Sequence, residues 1–148
     1  MANRHATKKH AKSSWVSKGK DGRDSEKPWG KETQWSCFDG IHGKTLFIRK
    51  GMRTSLKYHR LKAEVLFLRT GEASITHGSE HTIEDPVGFP MQTSTMHAGD
   101  TLMVQSGCPY RIEALSDCEI VEVGNHSADK PIRIEDDFGR VNKELESK

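Results

Sequence analysis

Lys57, His59 and Glu64 are the residues of this chain whose types and spacing first suggest chemistry. They lie in the stretch Gly51-Met-Arg-Thr-Ser-Leu-Lys57-Tyr58-His59-Arg-Leu-Lys62-Ala-Glu64, with Gly71 seven residues beyond Glu64. Side chains alternate along a strand, so Lys57 and His59 share one face. Glu64 opens the next apolar run, and all three converge if the two runs line a small barrel. An imidazole and a carboxylate from neighbouring strands make half of a transition-metal site.

The elements that must position these residues are short and rich in β-formers. Thr45 to Arg49 ends at Gly51, and Ser55 to His59 forms a second run. Glu64 to Arg69 ends at Gly71, and Ala73 to Thr76 ends at His77-Gly78. Thr101 to Val104, Tyr110 to Ala114 and Cys118 to Val123 follow, each bounded by turn residues. Regularly spaced short strands predict a sandwich or barrel, and no window carries a long helical period. Glu84 to Met96, with Pro86, Gly88 and Pro90, reads as one long loop. Ile134 to Glu146 reads as a short helix capped by Asp136 or Asp137.

The chain has 148 residues, 33% hydrophobic and 30% charged, enough for one domain. Its charge is uneven. Residues 1–27 carry eight Lys/Arg against three acids, net +5, while the rest carries 15 basic and 18 acidic residues, net −3. Residues 1–26 hold Lys, Ser and Gly with one aromatic, Trp15, too little apolar surface to offset ordering entropy. They are expected to form a disordered or loosely attached tail before a domain at 27–148. The uneven charge argues against a protein that coats nucleic acid; a phosphate-contacting arm is conceivable through the basic tail alone. No apolar run is long enough to span a membrane, and the basic start lacks a signal-peptide core. Cys37, Cys108 and Cys118 form no C-x-x-C pair and fit a reducing, cytoplasmic setting. Cys108 reads as a structural thiol.

The stretch around His59 resembles the first cupin motif, G-x5-H-x-H-x3,4-E-x6-G, with Gly51, Lys57, His59, Glu64 and Gly71 in its five places. Gly99, Gln105, Gly107 and Tyr110 approach the second motif, G-x5-P-x-G-x2-H. Within the cupins the chain is similar to the cupin domain of type II mannose-6-phosphate isomerases, often fused to mannose-1-phosphate guanylyltransferase. Lys27-Pro-Trp29-Gly30 matches R-P-W-G, and Thr54-Ser-Leu-Lys57-Tyr-His59 with Lys62-Ala-Glu64 matches L-S-L-Q-x-H with R-A-E. Gln105 to Ala114 matches P-x-G-x-P-H-R-[LI]-E-N, and Arg133 to Arg140 matches R-[LI]-E-D-[DI]-[YF]-G-R. Four blocks in order, over about residues 27–140, imply an all-β cupin jelly roll of two antiparallel sheets. No nucleotidyltransferase half accompanies them, so guanylyltransferase activity is not carried over.

In that family Gln, His, Glu and His hold the metal; the matching residues here are Lys57, His59, Glu64 and Tyr110. An ammonium has no lone pair to give, and a phenol loses its proton only near pH 10. Lys57 then reads as supplying the positive charge itself, paired with Glu64. Three readings stay open. A divalent zinc or manganese ion survives on His59 and Glu64, with water or a rescue ligand from His97 or His77. Or the site is metal-free, with His59, Glu64, Lys57 and Tyr110 doing acid–base work. Or Lys57–Glu64 is a structural relic, and metal binding is weak or absent. By resemblance, Arg111 and Arg140 face a sugar phosphate, a role that guanidinium forks suit. Trp29 and Trp35 are expected to seal a barrel end. His42, His77, His81 and His126 flank turns and are expected to face solvent.

The resemblance thus implies aldose–ketose isomerisation of a sugar phosphate or nucleotide sugar in mannose or polysaccharide metabolism. A non-catalytic sugar-binding or regulatory cupin with a degenerate metal site is the alternative. A homodimer is the expected assembly.

Overall fold

In a computed structural model, which describes residues 12–140, eleven strands and one 3-10 turn (Gly19–Asp21) are found. The strands are β1 (Arg23–Lys27), β2 (Gly30–Phe38), β3 (Ile41–Ile48), β4 (Leu56–Tyr58), β5 (Glu64–Thr70), β6 (Glu72–His77), β7 (Gln92–His97), β8 (Thr101–Val104), β9 (Tyr110–Ala114), β10 (Cys118–Gly124) and β11 (Ile132–Glu135). They form two sheets, a six-stranded one in the order β1-β2-β3-β10-β5-β8 and a five-stranded one in the order β11-β4-β9-β6-β7. The strand pairs are antiparallel, and the two sheets face each other as a jelly roll. Among the described residues, no helix is long and apolar enough to cross a membrane.

Burial follows the two-residue period that the strand sequences dictate. Leu46 and Ile48 of β3, Leu66 and Leu68 of β5, Ile112 and Ala114 of β9, and Cys118 and Ile120 of β10 point inward, and all are buried. Ile120 lies opposite Leu46 on one side and Leu68 on the other, so these side chains meet across the sheet. Trp29 and Met96 close this apolar end. Gly71, between β5 and β6, has φ +96°, and a Cβ there would stand 2.4 Å from the Asp117 carbonyl oxygen. The motif glycine is therefore fixed by both conformation and space. The outer face of the six-stranded sheet shows Phe47, Val65, Phe67, Met103 and Val123 to solvent.

Four expectations need correction. Residues 23–26 of the expected tail join Lys27 in β1, held to β2 by ladder pairing and by Thr33 donating to Asp24 at 2.7 Å. Trp15 makes an edge contact with Phe38 at 5.0 Å between ring centres; residues 1–11 lie outside the described chain. The expected long loop ends at Met91, because Gln92–His97 pairs with β6. The C-terminal helix is replaced, as far as residue 140, by β11 pairing with β4 and by a turn. Asp136 does not begin a helix there; it accepts from the backbone and guanidinium of Arg140, each at 2.8 Å. Trp29 is buried as expected, but Trp35 is 46% exposed. Trp35 lies outside the barrel over Gly43, with its indole N–H bonded to Thr45.

Candidate functional site

The inward-facing positions change character at one height in the barrel. On β3, Ile48 and Leu46 give way to Lys44 and His42; on β10, Ile120 gives way to Glu122. On β5, Leu66 gives way to Glu64, and on β9, Ile112 gives way to Tyr110. Neighbouring strands make the switch together, since Glu122 lies opposite both Lys44 and Leu66. One half of the interior is thus apolar, and the other is a buried polar cluster.

The sequence-predicted quartet converges there. β4 pairs with β9 through Lys57 and Tyr110, which sets both on one face. The Lys57 ammonium lies over the Tyr110 ring, 5.4 Å from its centre. His59 Nδ1 and Glu64 Oε1 are 3.1 Å apart, and the Tyr110 hydroxyl donates to the same oxygen at 3.1 Å. Glu64, His59 and Tyr110 are buried, whereas Lys57 keeps some solvent access.

Burial pushes the Glu64 carboxyl upward. The His59 hydrogen bond and the positive charges beside it, Lys57 first, outweigh it and hold Glu64 at about 2. Burial pushes the Tyr110 phenol well above its ordinary value, and the Glu64 and Glu122 charges push the same way. Burial drives the Lys57 amine below the lysine range against the pull of Glu122 and Glu64. Glu64 is therefore a fixed anion and Tyr110 a protonated phenol.

The metal position that the sequence resemblance implies does not fit a divalent ion in this chain. The Tyr110 oxygen keeps its proton and directs it at Glu64, and Lys57 brings an amine that carries charge when protonated. His59 and Glu64 remain as two donors. Neither rescue ligand joins them. His97 lies on the exposed end of β7 beside Glu72 and Asp100, and His77 Nε2 is bonded to Ser94 at 2.8 Å. His77 lines a cleft of about 590 Å³ with Glu80, His81, Gln105 and Cys108, beside the polar half of the barrel.

Of the four histidines expected to face solvent, His42 is the one the structure buries. It is 1% exposed, and its Nε2 lies 2.9 Å from Glu122 Oε2, which is also buried. Its position before Gly43 suggested a turn, yet it shares the parity of Lys44, Leu46 and Ile48, which was the signal for an inward side chain. His42, Glu64 and Glu122 offer ligand atoms that all lie within 4.8 Å of one another, a group that could hold a metal ion. His81 and His126 are exposed as expected.

The two predicted phosphate-binding arginines are not brought to the cluster. Arg111 follows Tyr110 on β9, so it points to the opposite face of the sheet. It donates to the Thr54 carbonyl at 2.8 Å and lies 3.4 Å from a Glu135 carboxylate oxygen. Arg140 forks onto Asp136, and Arg53 forks onto Asp137 at 2.6 and 2.7 Å. Arg53 and Arg111 clasp β11 and the turn after it to the body, and the Arg140–Asp136 fork closes that turn on itself.

No family model and no curated protein matches the chain. Solved structures do match in fold. Oxalate decarboxylase from Bacillus subtilis at pH 4.6 superposes with a TM-score of 0.70 at 18% identity, over 93% of this chain and 37% of that one. A tryptophan-to-tyrosine variant of the same enzyme gives 0.66 at 17%, over 80% and 31%. Vicilin from Solanum melongena gives 0.57 at 20%, over 72% and 30%. The chain spans about a third of the length of these neighbours. They are cupin-fold proteins, and this chain has that fold. The decarboxylase carries Mn(II) centres; the vicilin is described with anionic ligands in its pockets.

Proposed function

We propose that this cupin-fold chain binds a sugar phosphate or nucleotide sugar at the polar half of its barrel and interconverts aldose and ketose. The observation that carries this reading is the pinning of His59 and Tyr110 to one ionised carboxylate oxygen of Glu64. The four-block resemblance to mannose-6-phosphate isomerases supports the substrate class, and the adjoining cleft has the size of a small-ligand site.

The chemistry follows from the bonds. A carboxylate accepts, so a proton lies on His59 Nδ1, and in the neutral imidazole Nε2 keeps a lone pair. That nitrogen can take the proton from the carbon beside the carbonyl and return it to the former carbonyl carbon through an enediol. Glu64, too acidic to act as the base, orients the ring and stabilises the imidazolium. A protonated Lys57 is the donor available to the substrate oxygens, because the Tyr110 proton is directed at Glu64.

The test is interconversion of mannose-6-phosphate and fructose-6-phosphate by the full chain, stripped of metal and then supplied with zinc or manganese. Turnover is expected, falling by about a hundredfold or more in His59→Gln, the scale of a lost acid–base group. A second reading, the non-catalytic sugar-binding cupin, is favoured by the engagement of Arg111 and Arg140 with carboxylates instead of an open phosphate site. No turnover under either metal condition, together with a melting shift on adding sugar phosphate, would replace the first reading with the second.

A further inference from the structure

We infer that His42, Glu64 and Glu122 form a divalent transition-metal site, which shares Glu64 with the metal position implied by the resemblance but draws its other ligands from β3 and β10. The site stands whether or not the chain is an isomerase.

Three observations carry it. The donor set is one imidazole and two carboxylates, all buried, with ligand atoms within 4.8 Å of one another. Nitrogen and oxygen donors in that proportion suit zinc or manganese. Next, His42 Nε2 is engaged by Glu122, while His42 Nδ1 is buried without a hydrogen-bond partner among the described residues. A buried polar atom left in this way is costly and rare in folded chains, and it leaves His42 incompletely satisfied by the protein around it. Third, the space is shaped by a glycine. Gly124 of β10 lies opposite both His42 and Glu64. A Cβ at Gly124 would stand 2.4 Å from His42 Cε1 and 3.0 Å from Nε2. The imidazole can lean across β10 toward the carboxylates because that side chain is missing.

Two ammonium groups stand nearby, Lys44 paired with Glu32 at 3.0 Å and Lys57 over Tyr110, and both also bear on Glu122 and Glu64, so the ion binds in competition with them. Arg133, opposite Lys57 on β11, adds positive charge on that side and repels the lysine. The short contacts of Glu64 and Glu122 are with His59, Tyr110 and His42, all groups that a metal can displace or share. The substitution at position 57 thus blocks one metal position and leaves Glu64 available to a second.

The site is tested by calorimetric titration of the untagged, metal-stripped full chain with zinc and with manganese. One ion per chain is expected. His42→Gln and Glu122→Gln should each weaken binding by more than the about 10–100-fold typical of losing an outer-shell partner, while His59→Gln, which removes such a partner from Glu64, should stay within that range. Should a variant fail to fold, imidazole nitrogen resonances of the wild-type chain give the same answer. Zinc should shift those of His42 strongly and those of His59 little. No binding to wild type at millimolar metal, or shifts and losses confined to His59, would overturn the site.

Discussion

The two halves of the barrel interior obey different rules although the same strands build both. In the apolar half, Leu46, Ile48, Leu66, Leu68 and Ile120 satisfy one another by filling space, and no contact among them has a direction. In the polar half, His42, His59, Glu64, Tyr110 and Glu122 are each held by a named partner, and displacing one strands the next. The comparison separates what folds the chain from what the fold carries. The apolar half supplies stability, and the polar half relies on it to hold a placed set of acids, bases and donors.

The largest effect should come from the apolar half. Leu68 has no exposed surface, so Leu68→Ala should cost about 3 kcal/mol through lost burial and a residual cavity, read by denaturant unfolding. A cost below about 1 kcal/mol would mean that the half is loosely packed. The polar half should respond in an order-dependent way. Glu122→Leu leaves His42 buried without its partner and should cost about 2 kcal/mol. Adding His42→Leu should recover most of that loss, because replacing a whole buried pair by apolar residues is often neutral or stabilising. If the double variant is less stable than the single one, the polar half is a net stabiliser and the division of roles fails.

The smallest effect lies outside both halves, in the clasped turn. The Arg140 fork, outweighing partial burial, holds Asp136 at about 2, below its ordinary 3.8. A depressed carboxylate pKa supports the fold fully above the unfolded value, and that support is lost as pH falls toward about 2. Hydrogen exchange at residues 132–140 should therefore quicken as pH drops from about 4 to 2, after correction for intrinsic rates, with Leu66 and Leu68 still protected. Equal loosening in both places would show that the clasp and the core unfold as one unit.

Much of this organisation is legible in the sequence. Strands β3 to β6 and β8 to β10 follow from β-rich runs between turn residues, and motif spacing brings Lys57, His59, Glu64 and Tyr110 together. β2 is hidden because Gly30–Phe38 mixes charged, polar and aromatic residues and buries few of them. β7 is hidden because Gln92–His97 buries Met96 alone. β11 depends on pairing with a distant strand, which local composition does not encode. His42 and Glu122 escape notice because polar residues on an inward parity look the same in sequence as polar residues on a solvated face. What they share with Leu46 and Ile120 is position, and position becomes decisive once the strands are known. Arg111 and Arg140 show the converse. Their motif matches, but alternation along β9 and the fork onto Asp136 turn them to other work.

The close approach at Gly124 ties two distant positions into one heritable unit. A single methyl group added there would collide with the His42 ring, so a descendant of this chain that acquires alanine at 124 must also surrender or reorient the imidazole at 42. Drift at either position is then conditional on the other, although 82 residues separate them along the chain. The mark of the cluster in any lineage would be this histidine and glycine retained or lost together, while the lining of the apolar half is free to exchange one aliphatic residue for another.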